Sequence, residues 1–334
     1  MKRLVRRVAE DVLGTLSPAR WHLSREPRLL VLMYHRVLPA DHPDRRTEQP
    51  GMYVSPETLD MNLAVVKKHF DLVHLDEWVR SAKEGKALPR LACAVTFDDG
   101  WRDNYQFGYP VLLKHRAPAL IFLVSDLIGT DRHFWPNRLA RMLVSMPADT
   151  APGGKLGETL APAIAEARSQ GEWRAQDIDL AILLAKQLDE SQIHALIDEA
   201  QASLPCAPPE RALLDETELR SMADSGLVRF GSHTRTHYRC REGAPLDRLR
   251  HEIVDSRAEI AAISRMPVEV FCYPNGDTTS AAVDLVSRNY LAAVTTRKGW
   301  HVPGADPFRI SRVGLHEDIA SRPASFLARA GGWL

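Results

Sequence analysis

No stretch of about 18 consecutive apolar residues occurs in the 334-residue chain, which leaves no candidate for a membrane-spanning helix. Net charge is missing as well. Forty-three Lys and Arg balance 43 Asp and Glu, so no global field gathers a polyanion, and no nucleic-acid partner is expected. Cysteine is scarce: Cys93, Cys206, Cys240 and Cys272 lie at least 30 residues apart with no C-x-x-C pair, which excludes a disulfide scaffold and a zinc-finger spacing. They read as small buried or half-buried thiols in a reducing interior. The N-terminal MKRLVRRVAEDVLGTL interrupts its apolar positions with charges, so no cleavable leader is expected and cytoplasmic placement follows as the expectation. What the chain does contain is ordinary: 45% hydrophobic and 26% charged residues, a composition that builds a core and excludes collagen-like, coiled-coil and wholly disordered chains.

Residues 1–27 place Lys2, Arg3, Arg6 and Arg7 against Leu4, Val5, Val8, Val12 and Leu13, a basic amphipathic helix. Packing on the body of the protein is its main expected use, and peripheral contact with the inner membrane face is the other. Strand chemistry begins at Arg28–Tyr34, RLLVLMY, an unbroken apolar run of the kind buried on both faces of a parallel sheet. Pro39 to Gly51 holds three prolines and reads as a loop. Ser55-Pro56-Glu57-Thr58 opens a helix with an N-cap and a proline at its first position. Strands follow at 71–75, 91–97 (LACAVTF), 119–124 (ALIFLV), 228–231, 268–273 and 292–295, with helices predicted around 77–83, 106–116, 246–263 and 281–289. Repeated βα units of this kind imply a parallel sheet with helices outside, open or closed into a barrel. Residues 131–213 break the rhythm: strands vanish, and Ile178, Ala181, Ile182, Ala185, Ile193, Leu196 and Ile197 recur at helical spacing. The chain therefore reads as one α/β domain over 28–334 that carries a helical insertion.

Three strand ends carry chemistry. Thr96-Phe97-Asp98-Asp99-Gly100 puts adjacent carboxylates at the C-terminal end of a buried strand, the ligand-binding end in parallel folds. By itself Asp-Asp-Gly is more often a turn. Gly231-Ser232-His233-Thr234-Arg235-Thr236-His237 follows another strand and spaces two imidazoles four apart. Taken together, two imidazoles and one carboxylate suit a zinc-like ion with an open position, and the second aspartate is left over as a base. Phe271-Cys272-Tyr273-Pro274-Asn275-Gly276 runs a third strand into a tight turn that can aim backbone N–H groups at an oxyanion.

These segments resemble the polysaccharide deacetylases of carbohydrate esterase family 4, the NodB-homology domain, over roughly residues 28–315. The resemblance implies a distorted (β/α)7 barrel with a divalent metal, usually zinc, that removes N-acetyl groups from a glycan substrate. By its motifs, Asp98 is the base, Asp99, His233 and His237 are metal ligands, and Thr234 is a supporting hydroxyl. The family's third motif, R-x-P-Y, is represented by Cys272 and Asn275. The Asn275 amide can keep the oxyanion contact, but the orienting arginine must come from elsewhere. The FxYPxG form and the early L-M-Y-H-R-V strand are similar to the branch associated with exopolysaccharide loci. His316, in Gly314-Leu315-His316, and His35, at the end of the first strand, are the candidate general acids. Arg309 and Arg312 are offered to Asp98 or to substrate, and Trp101 and Tyr273 to sugar. Two rival readings are a metal-dependent hydrolase of a non-sugar amide on the same barrel and a catalytically silent carbohydrate-binding protein of a polysaccharide synthesis complex.

Overall fold

The unbroken apolar runs become strands that bury both faces. In the computed structural model, which describes residues 2–23, 25–147, 150–202 and 210–333, ten strands form: β1 Arg28–Tyr34, β2 Arg36–Val37, β3 Tyr53–Val54, β4 Asp71–Leu72, β5 Leu91–Phe97, β6 Ala119–Leu123, β7 Val228–Ser232, β8 Val270–Cys272, β9 Ala292–Val294 and β10 Val313–Gly314. Cys206 lies outside the described residues.

The main sheet is parallel and runs β10-β1-β5-β6-β7-β8-β9, with β4 beside the first half of β5, while β2 and β3 pair separately. β1 and β5 register along their full length, from Arg28 opposite Leu91 to Tyr34 opposite Phe97. The two ends of the sheet meet through one segment, because Ile310 bridges Val294 of β9 and Val313 pairs with Leu32 of β1. The sheet is therefore curled into the seven-strand path expected of the (β/α)7 barrel.

Strand periodicity sorts the side chains into two cores. Leu29, Val31, Ala92, Ala94, Phe122, Val270, Val294 and Ile310 form one buried cluster. Residues of the opposite parity, Leu30, Leu32, Cys93, Val95, Ile121 and Phe271, join the larger cluster to which the helices contribute Leu59, Leu63, Leu219 and Ile260. Gly231 is required in β7: a Cβ there would lie 2.5 Å from Cδ1 of Phe122.

The N-terminal helix spans Lys2–Leu23 and lies against the helix Pro323–Ala330. Its inner side buries Ser17 and Trp21, and Gly14 approaches the Ala324 backbone so closely that a Cβ would be 2.4 Å from the carbonyl oxygen. Val8, Val12, Leu16 and Leu23 stay exposed. No described helix is long and apolar enough to cross a membrane.

Residues 40–52 and 131–212 make a second compact unit. Four helices, Trp135–Ser145, Gly154–Gln170, Ala175–Ala185 and Glu190–Ala202, enclose their own core of Leu139, Leu160, Ile178, Ile182 and Ile197. The proline-rich stretch read as a loop belongs to this unit, because Asn137 and Arg141 bind Glu48 and Asp44, and Gln49 binds Asp179.

Candidate active site

Strand parity decides which residues reach the top of the barrel. In β5 the inward series Ala92, Ala94 ends with Thr96 and Asp98; Cys272 ends the series in β8, and Arg312 follows Ile310. Asp98, Cys272 and Arg312 are all buried and in contact. The Arg312 guanidinium donates to both carboxylate oxygens of Asp98, at 2.7 Å (Nη1–Oδ1) and 2.8 Å (Nη2–Oδ2). It also donates to Thr96 Oγ1, Thr295 O and Cys272 Sγ. Five N–H groups thus meet five acceptors.

Burial by itself raises the Asp98 carboxyl, but the charge and hydrogen bonds of Arg312, aided by His35 and His233, outweigh it and hold Asp98 well below the usual carboxylate range. The Cys272 thiol is pushed well above its ordinary value, chiefly by burial, so it stays a neutral filler beside the ion pair. The arginine paired with Asp98 comes from the segment before β10, since the third-motif position is Cys272. Arg312 is wholly buried, which corrects its assignment to substrate contact.

Asp99 is the adjacent carboxylate, turned away from Asp98 by left-handed backbone at φ 75° with Gly100 also at φ 75°. A non-glycine residue in that region costs energy and persists only where its surroundings fix it. Oδ1 of Asp99 lies 3.5 Å from Nε2 of His233 and 3.6 Å from Nε2 of His237. The imidazole rings meet edge to face at 4.9 Å. Zinc–nitrogen and zinc–oxygen bonds of roughly 2.0–2.2 Å in a tetrahedral array put donor atoms roughly 3.3–3.6 Å apart, so these three donors fit such an ion. The tautomer also fits. His233 Nδ1 sits 2.8 Å from the Cys272 carbonyl, which accepts only, so Nδ1 carries the proton and Nε2 offers a lone pair. Burial, then the neighbouring His237, lowers the His233 pKa to about 4 and keeps the ring neutral.

The His loop is held by a residue that sequence reading missed. Glu252, wholly buried in a π-helical turn (His251–Asp255), accepts the amides of Arg235 and Thr236 at 2.9 and 2.8 Å and the Thr236 hydroxyl at 2.7 Å. A single wider turn of this kind re-aims one side chain of a helix and recurs at functional sites, but periodicity does not announce it. Thr234, expected to be the supporting hydroxyl, sits at φ 65°, and its buried Oγ1 has no hydrogen-bond partner among the described residues. The support comes from Glu252 instead.

The remaining candidates divide. His35 directly follows β1 at the same rim, with Nε2 3.9 Å from Asp98 Oδ2 and a side chain 20% exposed. His316 follows β10 and begins the short helix Glu317–Ala320, with Nδ1 3.9 Å from Asp318. Asn275 adopts φ 55° in the turn Pro274–Gly276 and is exposed. Gly276 is obligatory there, since at φ 78° its Cβ would fall 2.1 Å from Thr296 Oγ1. Trp101 and Tyr273 are corrected. Trp101 is 2% exposed and gives its indole N–H to Asp99, so it has no open face for a sugar. Tyr273 is fully buried beside Phe271, because strand alternation points it into the outer core when Cys272 points in. Arg309 pairs with Asp306.

A family model described as polysaccharide deacetylase matches residues 85–149 and 185–294, more than half of the chain. The chain belongs to the polysaccharide deacetylase family. This is a family of hydrolases that act on non-peptide carbon–nitrogen bonds. The matched segments contain Asp98, Asp99, His233, His237 and Asn275, whereas His35, Arg312 and His316 fall outside them. Among curated proteins, the putative polysaccharide deacetylase YxkH of Bacillus subtilis is 44% identical over 137 residues, 36% of this chain and 41% of that protein. A poly-beta-1,6-N-acetyl-D-glucosamine N-deacetylase of Staphylococcus aureus is 27% identical over 115 residues, 32% of this chain and 39% of that protein. The match thus spans about two fifths of either relative. Several solved structures share the fold. The Streptococcus pyogenes deacetylase PplD, in complex with acetate, gives a TM-score of 0.58 at 16% identity, covering 89% of this chain and 96% of its own. IcaB from Ammonifex degensii gives 0.58 at 17% identity, covering 90% and 97%. The chain therefore has its family's barrel, with Arg312 paired to Asp98.

Proposed function

We propose that this polysaccharide deacetylase hydrolyses N-acetyl groups on a polysaccharide or glycan precursor, using a divalent cation, zinc by the donor set, and Asp98 as base. One observation carries the proposal: a carboxylate kept ionised by Arg312 stands beside a separate two-imidazole, one-carboxylate cradle, with Asp98 and His233 donor atoms within 4.8 Å.

Asp99, His233 and His237 would hold the cation, which supplies Lewis acidity that activates water and polarises the acetyl carbonyl. Asp98 accepts the proton of the attacking water. Its ionisation is never lost near neutral pH, but the pairing that secures this also makes it a weak base, so it acts by orienting water as well as by taking its proton. The developing oxyanion meets the amide of Asn275, in a turn whose next two amides close onto the Tyr273 and Pro274 carbonyls. As the carbon–nitrogen bond breaks, His35 or His316 delivers a proton to nitrogen, and acetate and a free amine leave. The acid proton and the water proton balance.

Cytoplasmic placement, with the N-terminal helix resting on a membrane, is part of the same reading. The exposed Val8, Val12, Leu16 and Leu23 support it, and co-sedimentation with anionic vesicles tests it. Acetate release from a panel of N-acetylated glycans by metal-loaded protein, with a chelated control, tests the function. Release only from small non-sugar amides would transfer the proposal to an amidohydrolase. Binding without release under every metal tried would transfer it to a silent carbohydrate-binding protein.

A further inference from the structure

Beside His35 in the early Y-H-R-V segment, Arg36 has no part in the chemistry above, yet it reaches the Asp99 carboxylate through one intermediary. Arg36, in β2, is 4% exposed, and its guanidinium carbon lies 4.3 Å from the centre of the Trp101 ring. Its charge is met by Asp103, itself 3% exposed, which accepts Arg36 Nε at 2.8 Å and the Val37 amide at 2.7 Å. Trp101 in turn donates its indole N–H to Asp99 Oδ2 at 3.0 Å. The other oxygen of that carboxylate is the one that faces His233 and His237.

We propose that Trp101 is a positioning residue for Asp99, clamped in its ring plane by Arg36 and Asp103. Four physical arguments support this. An indole is a donor only, so an N–H directed at Oδ2 fixes the rotation of the carboxylate and leaves Oδ1 toward the imidazoles. Ligand carboxylates depend on such outer partners, whose loss commonly lowers metal affinity 10–100-fold. A buried Arg–Asp pair is a poor source of net stability, so its presence against the ring is better understood as setting geometry. The stacked guanidinium also excludes water from one indole face.

The inference rests on Asp99, His233 and His237 being the metal ligands. Zinc affinity by competition with a chromogenic chelator tests it on the full chain. Trp101→Phe keeps the ring but removes the donor, and it should bind zinc about 10–100-fold more weakly. At saturating zinc its KM for glycan should be near that of the wild type. The decisive arm is a cycle with Asp99→Asn: the Trp101 effect should shrink markedly when Asp99 is already altered, as two groups acting through one contact require. Arg36→Lys retains charge for Asp103 without the planar stack, and should show a smaller loss of the same kind; it serves if the Phe variant does not fold. Unchanged zinc affinity in Trp101→Phe, or an undiminished loss in the Asp99→Asn background, would overturn the inference. A wild-type chain that binds no zinc would remove the metal reading and this inference with it. Normal wild-type binding with an unaffected Phe variant would remove this inference alone.

Discussion

Arg312 and Asp98, 214 positions apart in sequence, form a two-point ion pair at 2.7 and 2.8 Å inside the top of the barrel. Such a fork-to-carboxylate contact fixes the plane of the acid as well as its charge. The arginine is also satisfied on its other three N–H groups, so it has no freedom to turn toward a substrate.

Replacing Arg312 with Met should leave a buried, uncompensated carboxylate. The stability loss is expected at about 3–5 kcal/mol, read from urea denaturation. Arg312→Lys keeps a charge but loses the fork and should lower kcat/KM by about 10²-fold or more, with less loss of stability. Equal activity in the Lys variant would show that the bidentate geometry is unnecessary.

Asp98→Asn removes the proposed base and leaves the proposed metal ligands in place. Zinc content by atomic absorption should match the wild type, while kcat falls about 10²–10⁴-fold. His233→Ala and His237→Ala should behave differently, losing zinc and activity together. A variant of either histidine with full metal content would dismantle the ligand assignment.

The two candidate acids are separable by kinetics. His35→Gln and His316→Gln should each fold, since both side chains are partly exposed at strand ends. The residue that protonates the leaving nitrogen should, when replaced, lower kcat on N-acetyl substrates about 10²–10⁴-fold and spare an activated ester whose leaving group needs no proton. Equal losses on both substrates would assign the residue to binding or shape.

Acid should destabilise the chelated protein in a defined window. In the unfolded chain His233 takes up a proton below its ordinary value of 6.5, but the folded ring resists until about 4. Protons therefore favour unfolding between those limits; stability is full above pH 6.5 and falls by about 3 kcal/mol by pH 4 through this one group. Asp98, held below the usual range, adds a further loss only when pH drops past its unfolded value of 3.8. Denaturation midpoints across pH 4–7 check the first window, and His233→Gln should flatten it.

The strand–helix rhythm, the barrel and the Asp98, Asp99, His233 and His237 constellation were legible in the sequence because each rests on local chemistry. Apolar runs flag doubly buried strands, and polar motifs at their ends mark the ligand-binding rim. Over residues 131–213 the sequence itself replaces the strand rhythm with helical periodicity, read as a helical insertion. The roles of Trp101, Tyr273, Arg312 and Glu252 were decided only in three dimensions. An aromatic or an arginine near a motif has the same local signature whether it faces sugar or core, and the choice depends on strand parity, on left-handed backbone at Asp99, and on which distant groups close the barrel. Partners 214 and 16 residues apart leave no periodic trace, so Arg312 opposite Asp98 and Glu252 beneath the His loop appear only once the sheet has curled and brought its ends together.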